Sequence, residues 1–197
     1  MNIDTLIENI THLHRNAIQE WSTADIQLQH DGLLKLVEEN HSFNFQLWRA
    51  EDRARREDMG HSFVYHAKRD IDHYNQQRNN RMEAIDGWLA DTLELSSHKD
   101  CPIHSETPGM MIDRLSILSL KSYHMGLQAV RPTADDAHRQ LCAQKLETLH
   151  AQHKHLTSCL QQLLKDLTLQ LRTFYRYHQF KMYNDPTLNP ELYSHTE

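Results

Sequence analysis

Apolar residues recur along most of the chain at three- and four-residue steps, the spacing that places them on one face of an α-helix. Ile3, Leu6, Ile7, Ile10, Leu13, Ala17 and Trp21 make one such stripe and predict a first helix over residues 3–21. Residues 22–30 lose the pattern. It resumes near Gly32 with Leu33, Leu34, Leu36 and Val37, a short helix, and again with Phe43, Phe45, Leu47 and Trp48, a separate helix running to about Asp58 and ended by Gly60. Val64, Ala67, Ile71, Tyr74, Met82, Ile85 and Leu89 predict a long helix from about Ser62 to Leu95, because at 100° per residue they fall within about 80° of arc.

Residues 96–107 read as a loop. Thr107-Pro108 then has the form of a helix N-cap followed by proline at the first helical position, and Met111, Ile112, Leu115, Leu118 and Met125 carry that helix to about Gly126. After Arg131-Pro132, Thr133 is the expected cap of the last helix, with Asp135 and Asp136 in its first turn. One heptad seam holds Cys142, Leu149, Leu156, Leu163 and Gln170; the other holds Leu146, His153, Leu160, Leu167 and Phe174. This helix is expected to reach Tyr177, roughly 60–70 Å in length. Such a seam does not stay bare, so either the other helices pack along it or a second copy does, as a homodimer.

The predicted fold is therefore all-α: one domain over 1–197, a helical bundle with one long C-terminal helix and a short non-helical tail. The tail, 183–197, retains Tyr183, Leu188 and Tyr193 beside Pro186 and Pro190, so it is expected to fold back on the bundle. Five glycines and five prolines suit a few long helices better than a sheet with its many turns.

A net charge of −6 argues against a nucleic-acid partner, and the cluster Arg53, Arg55, Arg56 is interleaved with Glu51, Asp52, Glu57 and Asp58. Cys101, Cys142 and Cys159 form no CxxC pair and make no disulfide framework. With no apolar leader in residues 1–10 and no apolar run of the ~20 residues that span a bilayer, the expectation is a cytoplasmic protein without a membrane span.

Lys68, Asp72, Asn75, Asn79, Glu83 and Asp86 form a polar stripe at 4-3-4-4-3 spacing beside the apolar face of their helix. Half-buried charges need partners, so Asp72 and Asn79 are expected to bond to another helix. Asn44, Trp48, Glu51 and Arg55 step by 4-3-4 and can face them. Amides beside carboxylates and arginine suit a sugar or a phosphate; a structural polar network or a solvated face is the alternative. The helix start at Thr107-Pro108-Gly109, with Arg114 and Lys121 downstream, is a candidate anion site or simply a capped helix. Acid-x-x-His pairs occur at Glu38/His41, Asp70/His73, Asp135/His138 and Glu147/His150, as in dinuclear carboxylate bundles. With about two such pairs expected by chance from 27 acids and 16 histidines, these four are only a weak excess. The loop trio His98, Cys101 and His104 lacks an evident fourth ligand. Neither a metal nor a cofactor is expected.

Four blocks, NFQLWRAEDRARR (44–56), KRDIDHYNQQRNNRMEAID (68–86), ETPGMMIDRLSILSLKSYHM (106–125) and FKMYNDPTLNPELY (180–193), together resemble the bacterial domain of unknown function 4254 family, an all-helical family. Its members are often encoded near glycosyltransferases of cell-surface polysaccharide assembly, so the resemblance implies a link to envelope glycans. Within these blocks the candidate ligand-binding residues are Trp48, Asp52, Arg55, Lys68, Arg69, Asn75, Gln76, Arg78, Asn79, Asp113, Arg114, Lys121, Lys181, Tyr183 and Asn184, with Glu51 or Asp72 as candidate catalytic bases. The expected ligand is a phosphorylated sugar or a sugar nucleotide, its phosphate on Arg55, Lys68, Arg78 and Lys121 and its hydroxyls on Asp72, Asn75 and Asn79. Two alternatives are a non-catalytic adaptor or dimer that organises glycosyltransferases and a metal–carboxylate bundle enzyme.

Overall fold

The computed structural model describes residues 2–95, 101–178, 180, 182 and 185–193. Five long helices carry it: α1 (Ile3–Trp21), α2 (Gly32–Ala54), α3 (His61–Thr92), α4 (Pro108–Ala129) and α5 (Asp136–Thr168); α6 (Pro190–Tyr193) is a single turn. A 3-10 turn at Glu57–Met59 precedes α3, and Gly60, at φ 86, redirects the chain there as few other residues can. Strands β1 (Ile103–His104) and β2 (Thr173–Phe174) pair in parallel over two residues. The fold is all-α, and among the described residues no helix is long and apolar enough to cross a membrane.

Each helix has a physical start. Asn2 caps α1 by accepting the Thr5 N–H at 3.1 Å. Thr107 caps α4 in the same way through the Met110 N–H, with Pro108 at the first helical position. Besides α2 ending at Ala54 and not near Asp58, three boundaries differ from those the sequence predicts. First, α2 is one continuous helix and not two. The polar run Glu38-Glu39-Asn40-His41-Ser42 resembles a break, but Glu38, Asn40, His41 and Ser42 are buried and bonded inside the bundle. Second, α5 begins at Asp136 under Asp135, whose carboxylate accepts the His138 N–H at 2.7 Å, and not under Thr133. Third, α5 stops at Thr168, where the chain turns through Gln170 at φ 56; Phe174 is buried in β2 and not on the helical seam.

The main core joins Ile10 of α1, Val37 of α2, Ile85 and Leu89 of α3, Met111, Ile112 and Leu115 of α4, and Leu160, Leu164 and Leu167 of α5. A second apolar cluster gathers Ala17, Ile18, Trp21, Phe45 and Leu120. The α5 seam is thus buried within the chain over its C-terminal half. Toward its N-terminus Leu146, Leu149 and His153 are only half-buried against α4, and grooves flank this α4–α5 hairpin on its α1 and α2 sides.

Helices α3 and α4 cross at Gly109. A Cβ there would sit 2.4 Å from the Met82 carbonyl oxygen and 2.8 Å from Asp86 Oδ1. The carbonyl belongs to the α3 backbone and has nowhere to go. Gly109→Ala is expected to lower stability by about 1–3 kcal/mol, read from urea unfolding. Gly126→Ala is the control, because a Cβ at 126 meets only Leu146 Cδ2 at 3.9 Å and alanine favours helix. Equal effects at the two glycines would contradict the crossing geometry.

Candidate functional site

Arg78 of α3 reaches inward and grips Asp113 of α4. Its Nε donates to Oδ1 at 2.8 Å and its Nη2 to Oδ2 at 2.7 Å, a bidentate pair on a carboxylate that is 2% exposed. The side-chain amides of Asn40 and Asn44, both from α2, donate to the same Oδ1 at 3.1 and 2.9 Å. Asn44 also donates to Ser116 Oγ at 2.9 Å, and Ser116 Oγ meets His41 Nδ1 at 2.7 Å. The His41 ring lies 4.6 Å from that of His14 and 5.4 Å from that of Trp21. Helices α2, α3 and α4 are therefore tied by one polar network through the core, and α1 packs its His14 and Trp21 rings against it.

That network makes the floor of a surface site. Asn44, Leu47, Trp48, Glu51, Asp52 and Arg55 of α2, Arg78 of α3, and Ile117 and Leu120 of α4 line a cavity of about 370 Å³. Trp48 and Asp52 also line a neighbouring groove of about 700 Å³, whose other walls are Lys121, His124 and Gln128 of α4 and Lys145, Thr148 and Gln152 of α5. Trp48 and His124 stack face to face, with centroids 4.4 Å apart and planes 1° from parallel. Burial lowers the His124 pKa, and the nearby Asp52 carboxylate opposes this. Arg55 pairs with Glu51 at 2.8 Å across one turn. Lys121 and Lys145 join no ion pair among the described residues.

The structure therefore brings together Trp48, Glu51, Asp52, Arg55, Arg78 and Lys121, with Asp113 beneath Arg78. It leaves the other candidates elsewhere. Lys68 and Asp72 pair with each other at 2.8 Å on α3. Asn75 receives only a long contact from Arg78 at 3.5 Å, and Gln76 donates to Asn80. Arg69 is exposed. Asn79 makes no side-chain hydrogen bond among the described residues, so the interhelical partners expected for Asp72 and Asn79 are not found. Arg78, next to Asn79 in sequence, makes that connection, because its long side chain reaches the core from the helix flank. Arg114 is drawn off by Glu106. Lys181, Tyr183, Asn184 and the loop residue His98 lie outside the described residues.

Two further expectations change. The N-terminus of α4 is not an open anion site, because Asp86 of α3 fills it: Oδ1 accepts the Gly109 N–H at 2.7 Å. Burial pushes the Asp86 carboxyl up to about 6, against the opposing hydrogen bonds from Thr107 and Gly109. The acid-x-x-His pairs do not converge on one site among the described residues. Glu38 accepts the main-chain N–H groups of Gln29 and His30, His41 faces Ser116, Asp70 holds Arg53, and Asp135 caps α5. No group of three or more His, Cys, Asp or Glu converges among the described residues.

Sequence periodicity did not single out His124, Lys145, Gln128 or Gln152. Asn40 and Ser116 also escaped it, although Asn40 lies one turn before Asn44 on the same face. In chemical terms the groove offers two ammonium groups outside any ion pair among the described residues, a carboxylate, two amides and a stacked ring pair, a set that suits a polar anionic ligand bearing hydroxyls.

No curated protein and no solved structure matches the chain. The family model described as a protein of unknown function, DUF4254, matches residues 34–175, which span α2 to β2 and contain every residue of the groove. The chain belongs to the DUF4254 family.

Proposed function

We propose that this protein binds a phosphorylated sugar or a sugar nucleotide in the groove between α2, α4 and α5, and serves envelope-glycan biosynthesis in the cytoplasm as a ligand-binding or enzymatic accessory factor. The observation that carries the reading is the pair Lys121 and Lys145, free of ion pairs among the described residues and sharing a wall with Asp52 and the Trp48–His124 stack. The ammonium groups suit phosphate; Asp52, Gln128 and Gln152 suit sugar hydroxyls. The glycan assignment draws on the family's neighbourhood with glycosyltransferases. Glu51, held by Arg55, is the candidate base nearest the groove.

Calorimetric titration with a panel of sugar phosphates and nucleoside-diphosphate sugars tests this. At least one member is expected to bind one-to-one, and Lys121→Ala and Lys145→Ala are each expected to weaken it by about tenfold, the loss of a charge-assisted contact. No binding across the panel, or undiminished binding by the double variant, overturns the reading. The adaptor or homodimer alternative is favoured by the exposed Val130 and Leu141 near the tip of the α4–α5 hairpin. Light scattering of the purified chain separates a dimer from a monomer.

A further inference from the structure

A second cavity is larger than the groove beside Trp48. It lies on the other flank of the α4–α5 hairpin, between that hairpin and α1, and encloses about 790 Å³. Its size is in the range of small-molecule sites. Its wall has an apolar strip made by Ile18, Leu127 and Leu146. Around that strip stand Arg15 from α1 and Lys154 from α5, with His12, His150 and His153.

The charge here is unlike the rest of the molecule. The chain has 27 acids and a net charge of −6, yet no aspartate or glutamate lines this cavity. Many arginines elsewhere are paired with acids, among them Arg53 with Asp70, Arg56 with Asp58, Arg78 with Asp113 and Arg139 with Asp136. Arg15 and Lys154 join no ion pair among the described residues. Ser122 adds a hydroxyl oxygen shielded from solvent, on the cavity wall and without a hydrogen-bond partner among the described residues. His153 is held between Ser119 Oγ at 3.3 Å and Thr157 Oγ1 at 3.4 Å. Its pKa is lowered by burial first, then by His150 and Arg15, so positive charge is already crowded there. An incoming anion relieves that crowding, and the apolar strip gives it something to carry besides charge.

We propose that this second cavity binds an amphiphilic anion. Its charged head sits on Arg15 and Lys154 and its hydrocarbon part lies along Ile18, Leu127 and Leu146. The ligand is either a free amphiphile or the headgroup of an anionic lipid. It is independent of the sugar-phosphate groove, which has different walls.

The test is calorimetric titration of the full chain with octyl phosphate below its micelle concentration. Octyl glucoside supplies the same tail without charge, and inorganic phosphate supplies the head alone. Octyl phosphate is expected to bind one per chain, at least about tenfold more tightly than either control, and Arg15→Ala and Lys154→Ala are each expected to weaken it by about tenfold. Both side chains are exposed on helix surfaces, and alanine favours helix, so the variants keep the fold; their melting curves verify this. Lys121→Ala leaves octyl phosphate binding unchanged. Octyl glucoside binding as tightly as octyl phosphate overturns the proposal, as does unchanged affinity in the Arg15→Ala/Lys154→Ala double variant. Sedimentation with phosphatidylcholine vesicles containing phosphatidic acid then names the source. Cosedimentation lost in the double variant marks a lipid headgroup; octyl phosphate binding without cosedimentation marks a free amphiphile.

Discussion

Asp113→Ala is expected to destabilise the protein by about 3–5 kcal/mol, the cost of leaving a buried charge without its partner. The substitution strands the Arg78 guanidinium, whose side chain is 24% exposed, and removes the acceptor shared by Asn40 and Asn44, which are 0% and 3% exposed. For a chain of this length that loss corresponds to a melting temperature lower by roughly 10–15 °C. The origin is separable by a double variant. Arg78→Met with Asp113→Leu removes both charges and is expected to lose less than Asp113→Ala alone, because no ion is left unpaired. Urea unfolding of the three proteins measures both differences. A loss below about 1 kcal/mol in Asp113→Ala would mean that the network is not under the burial the structure describes.

Stability is expected to fall as pH is lowered from neutrality, with a slope that changes near pH 6. His14 and His41 are fully buried. Burial, then the proximity of His41 and His153, holds the His14 pKa well below its ordinary value; neither of its ring nitrogens has a partner among the described residues. Burial takes His41 down to about 3, with the His14 main chain pulling weakly the other way. Both histidines stay neutral in the folded state, while the unfolded chain protonates them near 6.5. The unfolded state therefore binds more protons below pH 6.5, and stability drops by about 1.4 kcal/mol per pH unit per histidine. Asp86 works in the opposite sense. Its folded pKa of about 6 lies above the unfolded 3.8, so between those values the folded state holds one extra proton and recovers about half of the loss. The net expectation is roughly 2 kcal/mol lost between pH 6.5 and 5. His124 and His153, also lowered by burial, add in the same direction. Urea midpoints at pH 7, 6 and 5 check this, and His14→Leu is expected to flatten the dependence by one proton. Stability that holds or rises over this range would show that the two histidines are already protonated in the folded protein.

Much of this was legible in the sequence, for identifiable reasons. The α1 stripe and the Thr107-Pro108 start are local signals, and each appears where periodicity and capping chemistry put it. Trp48, Glu51, Asp52 and Arg55 lie on one face of one helix, so the cavity inherits them together. Polar residues used in the interior misled most. Glu38 to Ser42 mimics a helix break because hydropathy does not distinguish a buried, bonded amide from a solvated one. His14 sits four residues after Ile10 on the buried face, but a histidine there reads as an interruption. The α5 side of the groove could not be drawn beforehand. Lys145 and Gln152 come to face Trp48 only through tertiary packing, which no pattern within one helix encodes.

The two-residue bridge between β1 and β2 has a kinetic consequence. It joins Ile103 to Thr173, seventy positions along the chain, with the Thr173 N–H donating to the Pro102 carbonyl at 3.0 Å. Closing a loop of that length in an unstructured chain costs roughly 4 kcal/mol in entropy. A couple of hydrogen bonds, each worth about 1 kcal/mol net, do not offset that on their own. The bridge can therefore form only after α4 and α5 have paired and already brought the two segments within reach. It is a late step in folding and an early one in opening, which makes the Thr173 amide a native-state hydrogen-exchange reporter for the first local opening at this end of the α4–α5 unit.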